Sequence, residues 1–76
     1  MVKIYTITSR PWCTKVKKYL KSKNVAYEEF NIETDDAARD ACYRISGDLT
    51  VPITTVNGKD YVLSFDKEKL DAMLGL

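Results

Sequence analysis

The fold is decided by ten residues near the N-terminus, Thr8-Ser9-Arg10-Pro11-Trp12-Cys13-Thr14-Lys15-Val16-Lys17. An apolar stretch that starts at Val2 ends here, and a pattern with helical period begins. Pro11 suits the first turn of a helix, where its missing N–H is not needed, and Cys13 falls in the same turn. The positive end of the helix macrodipole favours a thiolate at such a position. This stretch therefore predicts a strand-to-helix junction of the kind at which thiol–disulfide enzymes hold their sulfur.

The residues on either side of this junction predict one helix between two strands. β-branched and aromatic residues from Val2 to Ile7 favour a buried strand. From Pro11 to about Lys23 the pattern is amphipathic, with Cys13, Val16 and Leu20 on one face and lysines on the other. Asn24 tolerates the left-handed conformation that ends many helices. A second strand is predicted from Val25 to Ile32.

The second half of the chain predicts a helix, a hairpin and a final helix. An N-cap is predicted within Thr34-Asp35-Asp36, and the helix that follows ends near Ser46-Gly47 with an apolar face of Ala38, Ala41, Cys42 and Ile45. Strands are predicted at Val51–Val56 and Lys59–Leu63, joined by a two-residue turn at Asn57-Gly58. Asp66 caps the last helix, whose apolar stripe is Leu70, Met73 and Leu74. A cis Val51–Pro52 bond is also predicted.

This order of elements, βαβαββα, defines an α/β fold. Right-handed crossovers make the first two strands parallel, and the hairpin completes a four-stranded mixed sheet flanked by three helices. The length of 76 residues allows one domain, residues 1–76, near the lower limit for a self-sufficient core.

Composition excludes several classes of function. Twelve Lys and Arg against eleven Asp and Glu give a net charge of +1, so bulk charge predicts neither a nucleic-acid nor a membrane partner. Two cysteines do not make a disulfide scaffold, and because histidine is absent we expect no metal site. The N-terminus has no secretory apolar region, which predicts a cytoplasmic protein.

Several short motifs, in this order and register, resemble the small glutaredoxins. They are Tyr5-Thr6, Arg10-Pro11-Trp12-Cys13, Thr50-Val51-Pro52, Asn57-Gly58 and Phe65-Asp66. The resemblance covers nearly the whole chain and implies a thioredoxin-like fold and a thiol–disulfide oxidoreductase or electron carrier. It also implies a monomer with no bound cofactor and with glutathione as a possible co-substrate. The implied partner is glutathione or a disulfide-bearing protein such as ribonucleotide reductase.

The resemblance also reveals a departure from the family motif, C-P-x-C. Arg10 stands where the family has its first cysteine, the nucleophile, and Cys13 matches the second. A guanidinium stays charged and offers no lone pair for attack on a disulfide, so the two-cysteine cycle cannot run within this chain. Two interpretations follow: a degenerate oxidoreductase in which only Cys13 remains, or an inactive module that keeps the groove and binds glutathione or a peptide. Arg10 is either natural or a replacement, and both origins stay open.

The resemblance assigns the site residue by residue. The catalytic positions are Arg10 and Cys13. The substrate-binding residues are Tyr5, Pro11, Trp12, Thr50, Val51, Pro52, Phe65 and Asp66. Leu63-Ser64 stands where members that bind glutathione have glycines, and larger side chains there hinder close approach of a ligand backbone.

Each of the main candidates also has a purely structural interpretation. Cys13 either forms mixed disulfides, with its thiolate favoured by Arg10 and Lys17, or packs as a small buried hydrophobe. For Cys42 we expect core packing, and a Cys13–Cys42 disulfide is not expected. Trp12 is either an exposed docking residue or a ring lying flat on the sheet edge. The lysines of the first helix, together with Arg10, either form a solvated face or receive an anionic peptide or the carboxylates of glutathione.

Overall fold

Seven elements follow one another in the predicted order, βαβαββα. The computed structural model describes residues 2–76. The elements are β1 (Val2–Thr6), α1 (Pro11–Ser22), β2 (Tyr27–Asn31), α2 (Asp36–Ser46), β3 (Ile53–Thr55), β4 (Tyr61–Leu63) and α3 (Lys67–Leu74). The strands form one four-stranded sheet in the order β2-β1-β3-β4. The predicted fold class, a mixed sheet flanked by three helices, is confirmed.

The directions of the strands bring four loops to one end of the sheet. β1 runs parallel to β2 and antiparallel to β3, with Tyr5 opposite Ile53. The ends of β1 and β2 therefore lie beside the start of β3. β4 runs antiparallel to β3, with Leu63 opposite Ile53, so the end of β4 lies there as well. The segments that begin α1, follow β2, precede β3 and follow β4 consequently share this end of the sheet.

Helices cover both faces of the sheet, and each face has its own buried cluster. On one face Val2 and Ile4 of β1 pack with Val16 and Leu20 of α1. The cluster on the other face joins residues of β1 and β3, and residues next to β2 and β3, to α2 and to Cys13 of α1. Its members are Tyr5, Cys13, Ile32, Ala38, Cys42, Val51 and Ile53. Because Tyr5 and Ile4 are neighbours in a strand, their side chains point to opposite faces.

The helix ends follow the predicted chemistry. Asp35 is the N-cap of α2, and its carboxylate accepts a hydrogen bond from Ala38 N at 3.2 Å. Asp66 caps α3 in the same way and accepts from Lys69 N at 3.1 Å. Asn24, just after α1, has φ +58°, as expected of a residue that tolerates the left-handed region. These caps were predictable because each depends on a side chain within three residues.

All four strands are shorter than predicted, β2 and β3 at both ends and β1 and β4 at one end. The strand predicted from Val25 is formed only from Tyr27 to Asn31, because the N–H of Val25 donates to Leu20 O at 3.0 Å and so closes the end of α1. The strands predicted at 51–56 and 59–63 are formed only at 53–55 and 61–63, and β1 ends at Thr6 rather than Ile7.

The predicted two-residue turn at Asn57-Gly58 is wrong, although β3 and β4 do form an antiparallel hairpin. Thr55 pairs with Tyr61, so the connection spans the five residues 56–60. The Asn57 side-chain oxygen accepts the backbone N–H groups of Lys59 and Asp60, at 2.8 and 2.9 Å. This side-chain turn replaces the tight backbone turn that an Asn-Gly pair usually indicates.

None of the helices in residues 2–76 combines the length and apolar character that crossing a membrane requires.

Candidate functional site

The start of α1 has an exposed arginine three residues before a buried cysteine. Arg10 is the N-cap residue in an extended conformation, Pro11 is the first helical residue, and Cys13 is the third. The backbone N–H of Cys13 donates to Arg10 O at 3.1 Å, so the thiol belongs to the opening turn, as predicted. Arg10 is exposed, whereas only 2% of the Cys13 surface is. The predicted order of an outer position 10 and an inner position 13 is therefore present in the structure.

Burial of Cys13 supports the packing interpretation of this residue. Its side chain lies in the cluster that also contains Val51 and Cys42. Lys17, which we expected to favour a Cys13 thiolate, instead pairs with Glu29, with the Lys17 Nζ 3.1 Å from Glu29 Oε2. The structure does not support that role for Lys17, because its charge is matched by a carboxylate on β2.

Glu29 connects this ion pair to the central strand. Partial burial alone would raise the pKa of Glu29, but hydrogen bonds from Thr6 and Lys17 and the charges of Lys17 and Lys21 outweigh burial and lower it. The Thr6 hydroxyl donates to Glu29 at 2.8 Å. This carboxylate therefore stays charged and holds the middle of α1 against the sheet.

Cys42 is a structural thiol, as predicted. It is fully buried in α2, and burial, followed by the nearby Asp48 carboxylate, raises the pKa of its thiol. A raised thiol pKa lowers the thiolate fraction at neutral pH and with it the reactivity. Both cysteines are free thiols.

The segment before β3 presents backbone beside the buried sulfur. The Val51–Pro52 peptide bond is cis, as predicted. Val51 and Pro52 are buried, whereas Thr50 is exposed and donates a hydrogen bond to Asp48. The Pro52 carbonyl accepts from Ser64 N at 2.8 Å, which joins this segment to the end of β4. Among the hydrogen bonds of residues 2–76, none uses the main-chain N–H or carbonyl of Val51.

Trp12 has about half of its surface exposed. The exposed fraction is 48%, and the Lys15 ammonium lies 5.0 Å from the centre of its ring. The same ammonium lies 5.2 Å from the ring centre of Phe65, so one cation bridges two of the predicted site residues. Lys15 was not among the predicted site residues. Its spacing of three residues from Trp12 could have indicated the contact, since residues so spaced are neighbours on a helix.

Packing fixes the position of Tyr5, and helix capping fixes that of Asp66. Tyr5 is 5% exposed, and its ring stacks on Phe30 with centroids 5.4 Å apart. Burial, followed by proximity to Cys42, raises the pKa of Tyr5, while Arg44 lowers it. Phe65 and Asp66 are half-buried, and the Asp66 carboxylate caps α3. A ligand contact of Tyr5 or Asp66 stays a prediction.

Two further searches of residues 2–76 bear on other kinds of site. No three His, Cys, Asp or Glu side chains converge where a metal ion could be held. An open depression of about 860 Å³ lies on the outer side of α2, between Asp36, Tyr43 and Leu49. It includes none of the motif residues.

The architecture and the comparisons identify the class of protein. A four-stranded mixed sheet in this order, with helices on both faces and a cis-proline opening β3, is a thioredoxin fold. The crystal structure of the thioredoxin-like protein BC3987 superposes with a TM-score of 0.86 at 36% identity, covering 96% of this chain and 99% of that one.

The sequence comparisons then give the family. The sequence model of the family described as Glutaredoxin matches residues 2–61. A glutaredoxin-like 8.6 kDa protein in the rubredoxin operon of Clostridium pasteurianum is 34% identical over 74 residues, which cover 97% of both chains. Glutaredoxin 3 of Escherichia coli strain K12 is 35% identical over 75 residues, covering 99% of this chain and 90% of that protein. The chain belongs to the glutaredoxin family.

Proposed function

We propose that this glutaredoxin-family chain is a binding module, which holds glutathione or an extended peptide in the groove beside Val51 and Pro52 without turning it over. The single observation that carries the proposal is the near-complete burial of Cys13, the one sulfur of the motif, while the exposed position 10 carries an arginine. In this proposal Arg10 takes the place of the family nucleophile, and the outermost group at the start of α1 is a cation instead of a thiol.

Thiol–disulfide exchange requires an accessible thiolate. A thiolate must approach a disulfide sulfur directly, form a bond to it and expel the other sulfur. Arg10 has no sulfur and no free electron pair for this step. Cys13 has the sulfur, but with 2% of its surface exposed it offers almost no path for an incoming disulfide.

In this proposal the groove is the space between the start of α1 and the segment before β3. The main chain of Val51 has no partner within residues 2–76, so its N–H and carbonyl would pair with an extended backbone there, as a strand edge does. Exposed Thr50 lies on one side of it, and exposed Trp12 with half-buried Phe65 offers an apolar contact. Both thiols are free, which suits a monomer working in the reducing cytoplasm.

A second candidate is the degenerate oxidoreductase or electron carrier, and it is favoured by the place of Cys13 in the first turn of α1. The helix dipole stabilises a thiolate there. In this case the Cys13 thiolate would attack a disulfide, such as one of ribonucleotide reductase, form a mixed disulfide and release a partner thiolate. Glutathione would then attack the mixed disulfide, return the Cys13 thiol and leave with the partner sulfur as a new disulfide.

One experiment separates the two candidates. S-methylglutathione cannot undergo exchange, so its effect on the amide resonances of Thr50 and Val51 reports binding alone. Reduction of hydroxyethyl disulfide with glutathione reports turnover. The proposed module is expected to show the resonance shifts and no turnover above that of glutathione itself.

The variants Cys13→Ser and Cys42→Ser serve as a matched pair. Glutathione-dependent turnover that is abolished in Cys13→Ser and kept in Cys42→Ser would establish the oxidoreductase instead. Absence of any shift at Thr50 and Val51 would contradict the groove.

A further inference from the structure

The charges of this chain are distributed very unevenly. Six of the twelve cationic side chains lie between residues 10 and 23, and all eleven carboxylates lie outside that segment. The net charge of +1 is therefore the sum of a strongly basic segment, residues 10–23, and a remainder in which acidic side chains are in excess. The six cations are Arg10, Lys15, Lys17, Lys18, Lys21 and Lys23.

The structure leaves most of these cations on the open side of α1. The inner side consists of Cys13, Val16 and Leu20, which are buried. Lys17 lies on the flank toward β2, where it pairs with Glu29. The exposed lysines form what we call the α1 ridge, which consists of Lys15, Lys18, Lys21 and Lys23.

The ridge starts at an apolar anchor. Trp12 is among the most exposed large apolar residues of the described chain, and the Lys15 ammonium contacts both its ring and that of Phe65. Lys23, at the other end of the ridge, lies 5.8 Å from the ring centre of Tyr19. Lys18, between them, contacts neither a carboxylate nor a ring within residues 2–76. An aromatic anchor beside unmatched positive charge fits a partner that is acidic and carries an apolar side chain.

We propose that the α1 ridge docks an acidic polypeptide segment, with an apolar residue of that segment packed on Trp12. This inference rests on the proposed function and deepens it, because it gives the chemistry of the partner that the groove would hold. A polypeptide fits better than a nucleic acid or an anionic membrane, because a short segment can place its carboxylates on the ridge alone. A nucleic acid or a membrane surface extends its negative charge over the rest of this small domain, where eleven carboxylates outnumber six cations.

The single tryptophan of the chain provides the readout. The probe is a blocked peptide of alternating glutamate and leucine, and its counterpart with lysine for glutamate is the peptide control. We expect the acidic peptide to change the fluorescence of Trp12 in a saturable way and the basic peptide to leave it unchanged. Raising the salt concentration above the physiological value should weaken binding, because screening shortens the reach of exposed charges to less than about 8 Å.

Two double variants with the same change in net charge test where the peptide binds. Lys18→Glu with Lys21→Glu reverses the middle of the ridge and should weaken binding about tenfold or more. Lys67→Glu with Lys69→Glu makes the same change on exposed residues of α3 and should have little effect. Circular dichroism of both variants verifies that the helices are intact.

Several outcomes would overturn the proposal. They are no binding of the acidic peptide, equal weakening by the two double variants, and tighter binding of a single-stranded oligonucleotide or an anionic vesicle than of the peptide. Failure of the groove is distinguishable, because it shows in the Thr50 and Val51 resonances with S-methylglutathione. Acidic-peptide binding without those shifts would keep the ridge and refute the groove.

Discussion

Cys13 and Cys42 lie in one buried cluster, yet the structure encloses them differently. Cys13 is in the opening turn of α1, three residues after an exposed arginine, at the end of the sheet where four loops meet. Cys42 is well inside α2, its thiol directed toward the backbone oxygen of Asp48 at 3.9 Å. The two residues are buried to a similar degree, at 2% and 0% exposure. The difference is therefore their place in the helix, because Cys13 lies in a first turn that an exposed residue precedes and Cys42 lies in a helix interior.

The largest expected effect comes from changing Arg10, three residues before Cys13. Arg10→Cys places a second sulfur at an exposed position three residues from Cys13, in the first turn, where the macrodipole favours its thiolate. We expect glutathione-dependent reduction of hydroxyethyl disulfide to rise on the order of a hundredfold over the unchanged protein. Under oxidising conditions the introduced thiol should form a disulfide with Cys13. Mass spectrometry detects this bond as the loss of two hydrogen atoms, whose electrons pass to the oxidant.

The control for this prediction is Arg10→Ser, which removes the guanidinium without adding sulfur and should stay inactive. If Arg10→Cys were also inactive and formed no disulfide, the position of the family nucleophile would lie elsewhere. Cys13 and Cys42 would then be equally inaccessible to a disulfide, because the start of α1 would be as closed as the interior of α2.

The second effect is a difference in reactivity between the two thiols. The N–H of Cys13 is held only by Arg10 O at the helix end, and helix ends open more readily than helix interiors. Cys13 should therefore react with iodoacetamide at least about tenfold faster than Cys42 under native conditions. Because burial raises the pKa of Cys42, its rate should continue to increase with pH beyond the range in which an ordinary cysteine is fully ionised.

Peptide mass spectrometry of partly alkylated protein measures both rates in one sample, and the rates in urea give the unprotected reference. Equal protection of Cys13 and Cys42, or faster reaction at Cys42, would show that the opening turn is as stable as the interior of α2.

The parts of this structure that could be predicted from the sequence are those that depend on local chemistry. The caps by Asp35 and Asp66 follow from a carboxylate three residues before the N–H that it accepts. The element order follows from the period of the apolar residues. Whether Cys13 was buried could not be read from its helix stripe, because that depends on contacts with Val51 and other residues distant in the chain.

The strand ends and the hairpin were mispredicted for a related reason. The N–H of Val25 can donate either to a neighbouring strand or to the end of α1, and in the folded chain it donates to Leu20 O of α1. Asn57 and Gly58 suit a tight turn by backbone preference, but the Asn57 side chain binds two backbone N–H groups and stabilises a longer loop. At both Val25 and Asn57, the hydrogen bond that forms differs from the one that the local pattern favours.

The smallest expected effect is at Ser64, which follows β4 at the same end of the sheet. Ser64, at the site end of the sheet, has φ +58°, a left-handed conformation that a serine adopts at a cost. Ser64→Gly removes that cost and keeps the N–H that donates to Pro52 O, so the free energy of unfolding should rise by about 0.5–1 kcal/mol. Asn24→Gly is the matched control, because Asn24 also has φ +58° but belongs to a type that tolerates it, and its change should be smaller.

Urea denaturation of the two variants measures these differences, and the same Ser64→Gly protein tests the groove. A glycine at position 64 also removes a side chain from the place where glutathione-binding members of the family have glycines, so S-methylglutathione should bind more tightly. A higher free energy of unfolding without tighter binding of S-methylglutathione would mean that residue 64 affects the backbone conformation but not ligand binding. If neither quantity changed, Ser64 would be neither strained nor in the path of a ligand, and the site end of the sheet would be no more specialised than the end at Asn24.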